Sequence, residues 1–332
     1  MAKQQHFYGG QAVLEGVMMR GASSWAIAVR RPSQEIYIER NPVKGLAGKY
    51  PLFRRPLFRG VAALGEAMTI GVRALSISAN QSLEEEEKLT PRQMAFSLAL
   101  AFLFFVGVFI VLPTIGTGIF RKRGSGNLVS NLIEGGVRMG IFLAYLIGIS
   151  FIKDIRRVFM YHGAEHKTIA AYEAGESELN PEAVDKYSTL HVRCGTNFLI
   201  MVMLLTIVIY SLLGYPVWYW RVVQRVGLIP VIAGISYEGL RLGANHTDNR
   251  IVRAMMKPGL WLQMITTKPP TPDQIEVAIR SFEAVLPEAE RGRVAPLPSS
   301  IVEGDSSVQP GWRPDQTTNE PGSGPAASDA AG

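Results

Sequence analysis

Residues 94–112 read MAFSLALAFLFFVGVFIVL, a run without a single charged side chain. A helix rising 1.5 Å per residue needs about 20 apolar residues to cross a bilayer core of ~30 Å. Met94–Leu112 meets that length, so the fold is expected to be a helical membrane protein built outward from this segment. Three more apolar runs follow. Leu128–Ile152 carries Glu134 and Arg138 four residues apart, where opposite charges on one helix face can pair. Phe198–Leu213 is charge-free and extended by Tyr215. Val222–Leu240 has Arg225 near its start and Glu238 near its end, with no charge between Val226 and Tyr237. Trp218, Tyr219 and Trp220 just before it form the kind of aromatic belt that settles at a membrane–water interface. Four spans are expected.

The whole chain supports this class. Hydrophobic residues make up 47% of the 332, high for a water-soluble domain. A formal charge of +6 would suit nucleic acid or an anionic membrane face. The basic residues sit beside apolar runs rather than in a stripe with interleaved aromatics, which favours membrane lipids and speaks against nucleic acid. Cys194 is the only cysteine, so no internal disulfide forms and a reducing compartment is compatible. Gly9, Gly10, Glu15, Gly16 and Arg20 interrupt any signal-peptide core in the first 30 residues. Orientation follows the lysines and arginines. Lys153, Arg156, Arg157, Lys167, Lys186 and Arg193 lie between spans two and three, and Arg241, Arg250, Arg253 and Lys257 follow span four. Only Arg121, Lys122, Arg123 and Arg221 stand on the other side. The positive-inside rule therefore puts both termini in the cytoplasm of a multi-pass protein of the cytoplasmic membrane.

These features divide the chain. Residues 1–56 are a cytoplasmic N-terminal α+β region, with Trp25–Arg30 and Glu35–Glu39 alternating around Arg31-Pro32-Ser33-Gln34 as a β-hairpin. Residues 57–93 hold an amphipathic helix (Leu57, Val61, Leu64, Met68, Val72, Leu75) on the membrane or against the bundle, then an acidic connector at Glu84–Glu87. Residues 94–152 are spans one and two, 153–197 a cytoplasmic loop with a metal site, and 198–240 spans three and four. Residues 241–288 are a cytoplasmic segment with a short helix opened by the capping box Thr271-Pro272-Asp273-Gln274. Residues 289–332, dominated by Pro, Gly, Ser, Asp and Ala, read as a disordered tail.

The chemistry concentrates at His162-Gly163-Ala164-Glu165-His166, about ten positions past the second span. Histidines at i and i+4 share a helix face and can grip one cation. The pattern H-x-x-E-H inverts the zinc-protease H-E-x-x-H. Glu165 borders that face as a general base or a ligand. If the helix continues, Glu173 at i+7 from His166 joins the set, with His191 as an alternative third ligand and Glu238 as another. Glu238 could equally pair with Arg241. In His191-Val192-Arg193-Cys194-Gly195-Thr196-Asn197, His191 and Cys194 could be ligands, or Cys194 a nucleophile, or simply a small packed residue. The glycine-rich opening Gly9–Gly21 fits a segment covering a site, with Glu15 and Arg20 inward, or a capped turn and short helix. No Gly-Lys-Ser/Thr follows, so it is not a phosphate loop.

Taken together, Gly9–Gly21, Trp25–Pro32, His162–Lys167, His191–Thr196 and Ile235-Ser236-Tyr237-Glu238 resemble the YqhQ family, over about residues 6–286. That is a family of bacterial membrane proteins of unknown function, commonly described as predicted metal-dependent enzymes. Its members usually read His-Pro-Arg-Cys-Gly-Thr where this chain has Val192 for the proline. The resemblance implies family and topology, and no substrate. The expectation from the residues is a divalent-metal hydrolase with a cytoplasm-facing zinc held by His162 and His166 plus Glu173, His191 or Glu238. Glu165 would be the base, and the substrate an amphiphile or peptide. The alternative is a non-catalytic assembly or scaffold factor with a structural metal or a hydrogen-bonded histidine cluster. A transporter is a weaker third, with only four spans and no inverted broken helices.

Overall fold

The computed structural model describes residues 8–43, 45, 50–84, 89–119, 126–214, 216–246 and 249–304. The acidic connector at Glu84–Glu87 (all but Glu84), the basic cluster Arg121–Arg123, and the tail beyond residue 304 lie outside these residues. In chain order the elements are β1 (Gly9–Val13), β2 (Gly16–Arg20), β3 (Ser24–Arg30), β4 (Ile36–Pro42) and α1 (Phe58–Gln81). Then come α2 (Pro91–Gly118), α3 (Asn127–Ser150), α4 (Lys153–Ala174), α5 (Pro181–Asp185) and α6 (Gly195–Leu212). The chain continues with α7 (Trp218–Gly227), α8 (Ile229–Asn245), α9 (Arg250–Thr266), α10 (Pro272–Val285), α11 (Glu288–Arg291) and β5 (Ile301–Glu303).

The protein is mostly helical, with one small sheet. Strands β1 to β4 form an antiparallel meander, and β5 joins β4 in parallel. The hairpin read around Arg31–Gln34 is its centre: Arg30 pairs with Ile36, and Arg31 N–H donates to the Glu35 carbonyl across the turn. Period-two alternation splits the strand residues between two covered faces. Val17, Met19, Ala26, Ala28, Ile36 and Ile38 pack against Ile275, Ile279 and Phe282 of α10 and Tyr161, Ala164 and Ile169 of α4. Val13, Met18, Trp25, Ile27 and Val29 meet Ile70 and Ala74 of α1. The expected N-terminal region and C-terminal segment are thus two parts of one core. The glycine-rich opening is a hairpin, not a capped turn and short helix. Glu15 takes its turn at φ 50°, where glycine or asparagine is commoner.

Among the described residues, four helices are long and apolar enough to cross a membrane: α1, α2, α3 and α6. Helix α1 is nonetheless bound to the sheet from its third turn onward, through Arg20–Glu66, Arg73–Glu39 and Arg31–Gln81. Its first turns abut α8, where Gly60 lies against Gly234 and Tyr237. The expected span Val222–Leu240 is two helices, α7 and α8, meeting at 41°. Pro230 explains the break, because it has no N–H for the Val226 carbonyl four residues earlier. The segment 153–197, expected as a loop bearing the histidine motif, begins with the 22-residue helix α4. The reading of disorder from Ala289 is overturned for residues 289–304. The β-branched Ile301 and Val302 pair with Ile36 and Tyr37, and Arg30 and Glu276 hold Ser299 beside them.

Inside the apolar helices lies a charged cluster. Glu134 of α3, 1% exposed, accepts from Arg138 at 3.0 Å, Arg221 at 3.2 Å and Arg225 at 2.9 Å. The i,i+4 pair foreseen in the second span is therefore one edge of a larger network. Pro113 leaves the Phe109 carbonyl without its usual helical donor, a π-helical turn spans Gly107–Val111, and Arg138 Nε donates to that carbonyl at 2.9 Å. Arg221 likewise caps the Thr114 carbonyl, and Arg225 donates to Asn131 Oδ1.

Candidate metal centre

Helix α4 carries His162 and His166 one turn apart, with ring centroids 4.4 Å apart. Each imidazole is oriented by a different main-chain carbonyl. His162 Nδ1 donates to Thr266 at the end of α9 (2.9 Å), and His166 Nδ1 donates to Thr189 in the loop before α6 (2.5 Å). A nitrogen that carries the proton fixes the tautomer, so both Nε2 atoms keep their lone pairs. This is the usual outer support of a metal-binding histidine.

The lone pairs turn toward Cys194. Its sulfur lies 3.2 Å from His162 Nε2, and one donor atom from each of His162, His166 and Cys194 lies within 4.8 Å of the others. Nitrogen and sulfur ligands at ~2.1 and ~2.3 Å on a zinc tetrahedron sit about 3.6 Å apart, so the three donors fit a cation with little movement. Cys194 is the N-cap of α6, and Thr196 approaches its sulfur with both N–H (3.5 Å) and hydroxyl (3.3 Å).

Burial lowers the His166 pKa, with the Cys194 sulfur opposing, and so favours the neutral imidazole that metals bind. Glu165 is 4% exposed and faces β1, where Gly10 lies against its carboxylate; a Cβ at Gly10 would come within 2.9 Å of it and 2.5 Å of the Met18 carbonyl. Glu165 Oε2 is buried and has no hydrogen-bond partner among the described residues. Desolvation raises the Glu165 pKa, against the attraction of His162 and His191. The glycine-rich opening therefore does cover the motif helix, through Gly10. Glu15 reaches the same helix by pairing with Arg157 and accepting from Tyr161.

The other expected ligands stand differently. Glu173 pairs with Arg193 and reaches His191 Nε2 at 3.5 Å; burial alone would raise its pKa, but His191 and Arg193 outweigh it. His191 lies with its ring 5.7 Å from that of His166, and its main chain is clamped by Gln263. Glu238 is in a two-pronged ion pair with Arg59 of α1, not with Arg241 as its spacing allowed. The close three-donor group among the described residues contains Cys194 in place of all three. The sequence admits Cys194 as a ligand but leaves it outside the expected set. Its visible signal is the N-cap position before an apolar run, Cys194-Gly195-Thr196, which turns a side chain over the free N–H groups of the helix's first turn.

Comparison with known proteins identifies relatives. Residues 55–288 match the family described as "Protein of unknown function (DUF1385)". The "Uncharacterized protein YqhQ" of Bacillus subtilis (strain 168) is 37% identical over 293 residues, covering 84% of this chain and 92% of that protein. No solved structure matches.

Proposed function

The chain belongs to the DUF1385 family, that of the uncharacterised YqhQ protein, and on that premise we propose an integral membrane metalloenzyme holding zinc at His162, His166 and Cys194. One observation carries the reading: two carbonyls from separate segments, Thr266 and Thr189, hold the Nδ1 protons so that both Nε2 atoms face one sulfur. Three protein ligands leave a fourth position, the pattern of catalytic rather than closed zinc sites. Bound there, zinc supplies Lewis acidity to water or to a substrate carbonyl or phosphoryl oxygen. Glu165, between the two histidines in sequence and with one carboxylate oxygen unpartnered, is the general base, and its raised pKa strengthens it in that role. The class of reaction is hydrolysis. The apolar helices sit in the cytoplasmic membrane with the histidine helix and both termini in the cytoplasm, so amphiphilic or peptide substrates reach the site from the bilayer face.

The test is metal analysis of detergent-purified, zinc-supplemented full-length protein. One zinc per chain is expected, lost in His162→Ala/His166→Ala. Cobalt substitution should add a sulfur-to-cobalt absorption band that Cys194→Ser removes. A folded wild type without metal would overturn the reading. A second reading rests on the position of the cluster, which ties the N-terminus of α6 to α4 and α9: a structural zinc in a scaffold factor. Glu165→Gln separates the two. The enzyme keeps metal and fold but loses cellular function, whereas the scaffold keeps all three.

A further inference from the structure

Helix α9 has one face committed to the protein and one left to its surroundings. Met256, Gly259, Leu262, Gln263 and Thr266 are buried. Gly259 sits so close to Asn197 at the start of α6 that a Cβ would collide with it. Gln263 holds both the N–H and the carbonyl of His191, at 2.9 and 2.8 Å, and Thr266 orients His162. The opposite face is a single stripe. Arg250, Arg253, Lys257, Trp261 and Met264 follow at steps of three and four residues, which at 100° per residue confines them to about 80° of the helix circumference. All five are exposed, Trp261 at 65% and Met264 at 63%. No ion pair to the three basic residues occurs among the described residues.

Water would be a poor partner for this stripe, and so would a bilayer interior. Exposed tryptophan and methionine beside unpaired arginine and lysine match the chemistry of an interfacial helix, with charges at phosphates and apolar side chains at the acyl boundary. The position agrees. Helix α9 packs against the N-terminal end of α6 and follows the C-terminal end of α8, where candidate membrane-crossing segments emerge. We propose that α9 lies in the membrane interface and binds the headgroups of anionic phospholipids through Arg250, Arg253 and Lys257, anchored by Trp261 and Met264. The metal cluster is then held at the level of the headgroups, because the inner face of the same helix carries its supports. This inference rests on the apolar helices being embedded in a bilayer, and not on the cluster holding zinc.

The test uses full-length protein in nanodiscs and in mixed micelles of phosphatidylcholine and phosphatidylglycerol. Native mass spectrometry should show phosphatidylglycerol retained preferentially. Arg253→Glu/Lys257→Glu should cut that retention several-fold and leave phosphatidylcholine unchanged, while Arg253→Lys/Lys257→Arg should retain it. Brominated lipid should quench a tryptophan component that disappears in Trp261→Phe. Unchanged phosphatidylglycerol retention in the charge-reversed variant, or a Trp261 component insensitive to brominated lipid, would overturn the proposal. Recovery of the protein in the aqueous fraction without detergent would overturn the membrane reading as well, a failure distinguishable from the first two.

Discussion

Two buried polar clusters, built from similar spacing on neighbouring helices, differ in what they leave unsatisfied. Glu134 and Arg138 lie at i and i+4 on α3; His162 and His166 lie at i and i+4 on α4. In the first cluster the carboxylate is shared by three guanidiniums, and further guanidinium donors reach Phe109, Thr114 and Asn131, while Arg225 Nη1 has no hydrogen-bond partner among the described residues. Tyr210 lies under two of them, with the Arg225 guanidinium 4.3 Å and that of Arg138 5.7 Å from its ring centre. In the second cluster main-chain carbonyls satisfy the outward nitrogens, and the inward lone pairs converge on one sulfur. Buried polarity alone does not mark a site. Lone pairs that are held in place and aimed at one point do.

The first way to break this contrast is to remove the shared carboxylate. Glu134→Ala leaves three guanidiniums facing one another in an apolar setting. Loss of one partner from a buried ionic network costs about 3–5 kcal/mol. Thermal unfolding in detergent should show a larger loss than either Cys194→Ala or Gly10→Ala produces, while zinc content of the folded fraction stays unchanged. If zinc falls in step, the two clusters are coupled and the contrast is false.

Next comes the sulfur. Outer-shell changes typically lower metal affinity by about 10–100-fold, so removing a direct ligand should exceed that. Cys194→Ala is expected to weaken zinc binding by more than about 100-fold in competition with a chelator, with little change in unfolding temperature of the metal-free protein. A smaller effect is expected at Gly10. An added methyl meets the Met18 carbonyl and the Glu165 carboxylate, and overpacking of this kind costs about 1–3 kcal/mol. Gly10→Ala should lower the unfolding temperature and, by displacing Glu165, impair cellular function at unchanged zinc content.

Much of this molecule is legible in its sequence, and the illegible parts have common causes. Apolar length locates α2, α3 and α6, charge-free in the runs of α2 and α6 and broken in α3 only by Glu134 and Arg138, because a bilayer imposes its thickness on any helix that crosses it. Alternation around Arg31–Gln34 locates the central hairpin. The first hairpin is hidden because Gly9, Gly10 and Gly16 have poor strand propensity; Gly10 and Gly16 are there for close approach to Glu165 and Val29. The strand at Ile301–Glu303 is three residues in a low-complexity stretch, and a partner more than 250 positions away specifies it. The histidine pair is visible because its spacing is local. Cys194, 28 positions after His166, joins it only through the packing of α9 against α6 and α4, which no periodicity encodes. Glu173 and Glu238 have the chemistry of ligands, but Arg193 and Arg59 engage them.

The comparison is sharpened most by the variant expected to do least. A buried ionic network can often be exchanged for apolar side chains of similar volume at little cost, since desolvation of the ions offsets their attraction. Glu134→Leu/Arg138→Met/Arg221→Met/Arg225→Met should therefore be far milder than Glu134→Ala, although it changes four residues instead of one. Part of the residual cost has an identifiable source. The Phe109 carbonyl depends on Arg138 because residue 113 is proline, and a buried carbonyl left without a donor costs about 1–3 kcal/mol. Adding Pro113→Ala restores an N–H at the position that normally serves Phe109, so the fivefold variant should recover about 1–3 kcal/mol relative to the fourfold one. If it unfolds as readily as Glu134→Ala, the charges of the bundle do something beyond satisfying one another, and the cluster at Glu134 has to be read as a site in its own right.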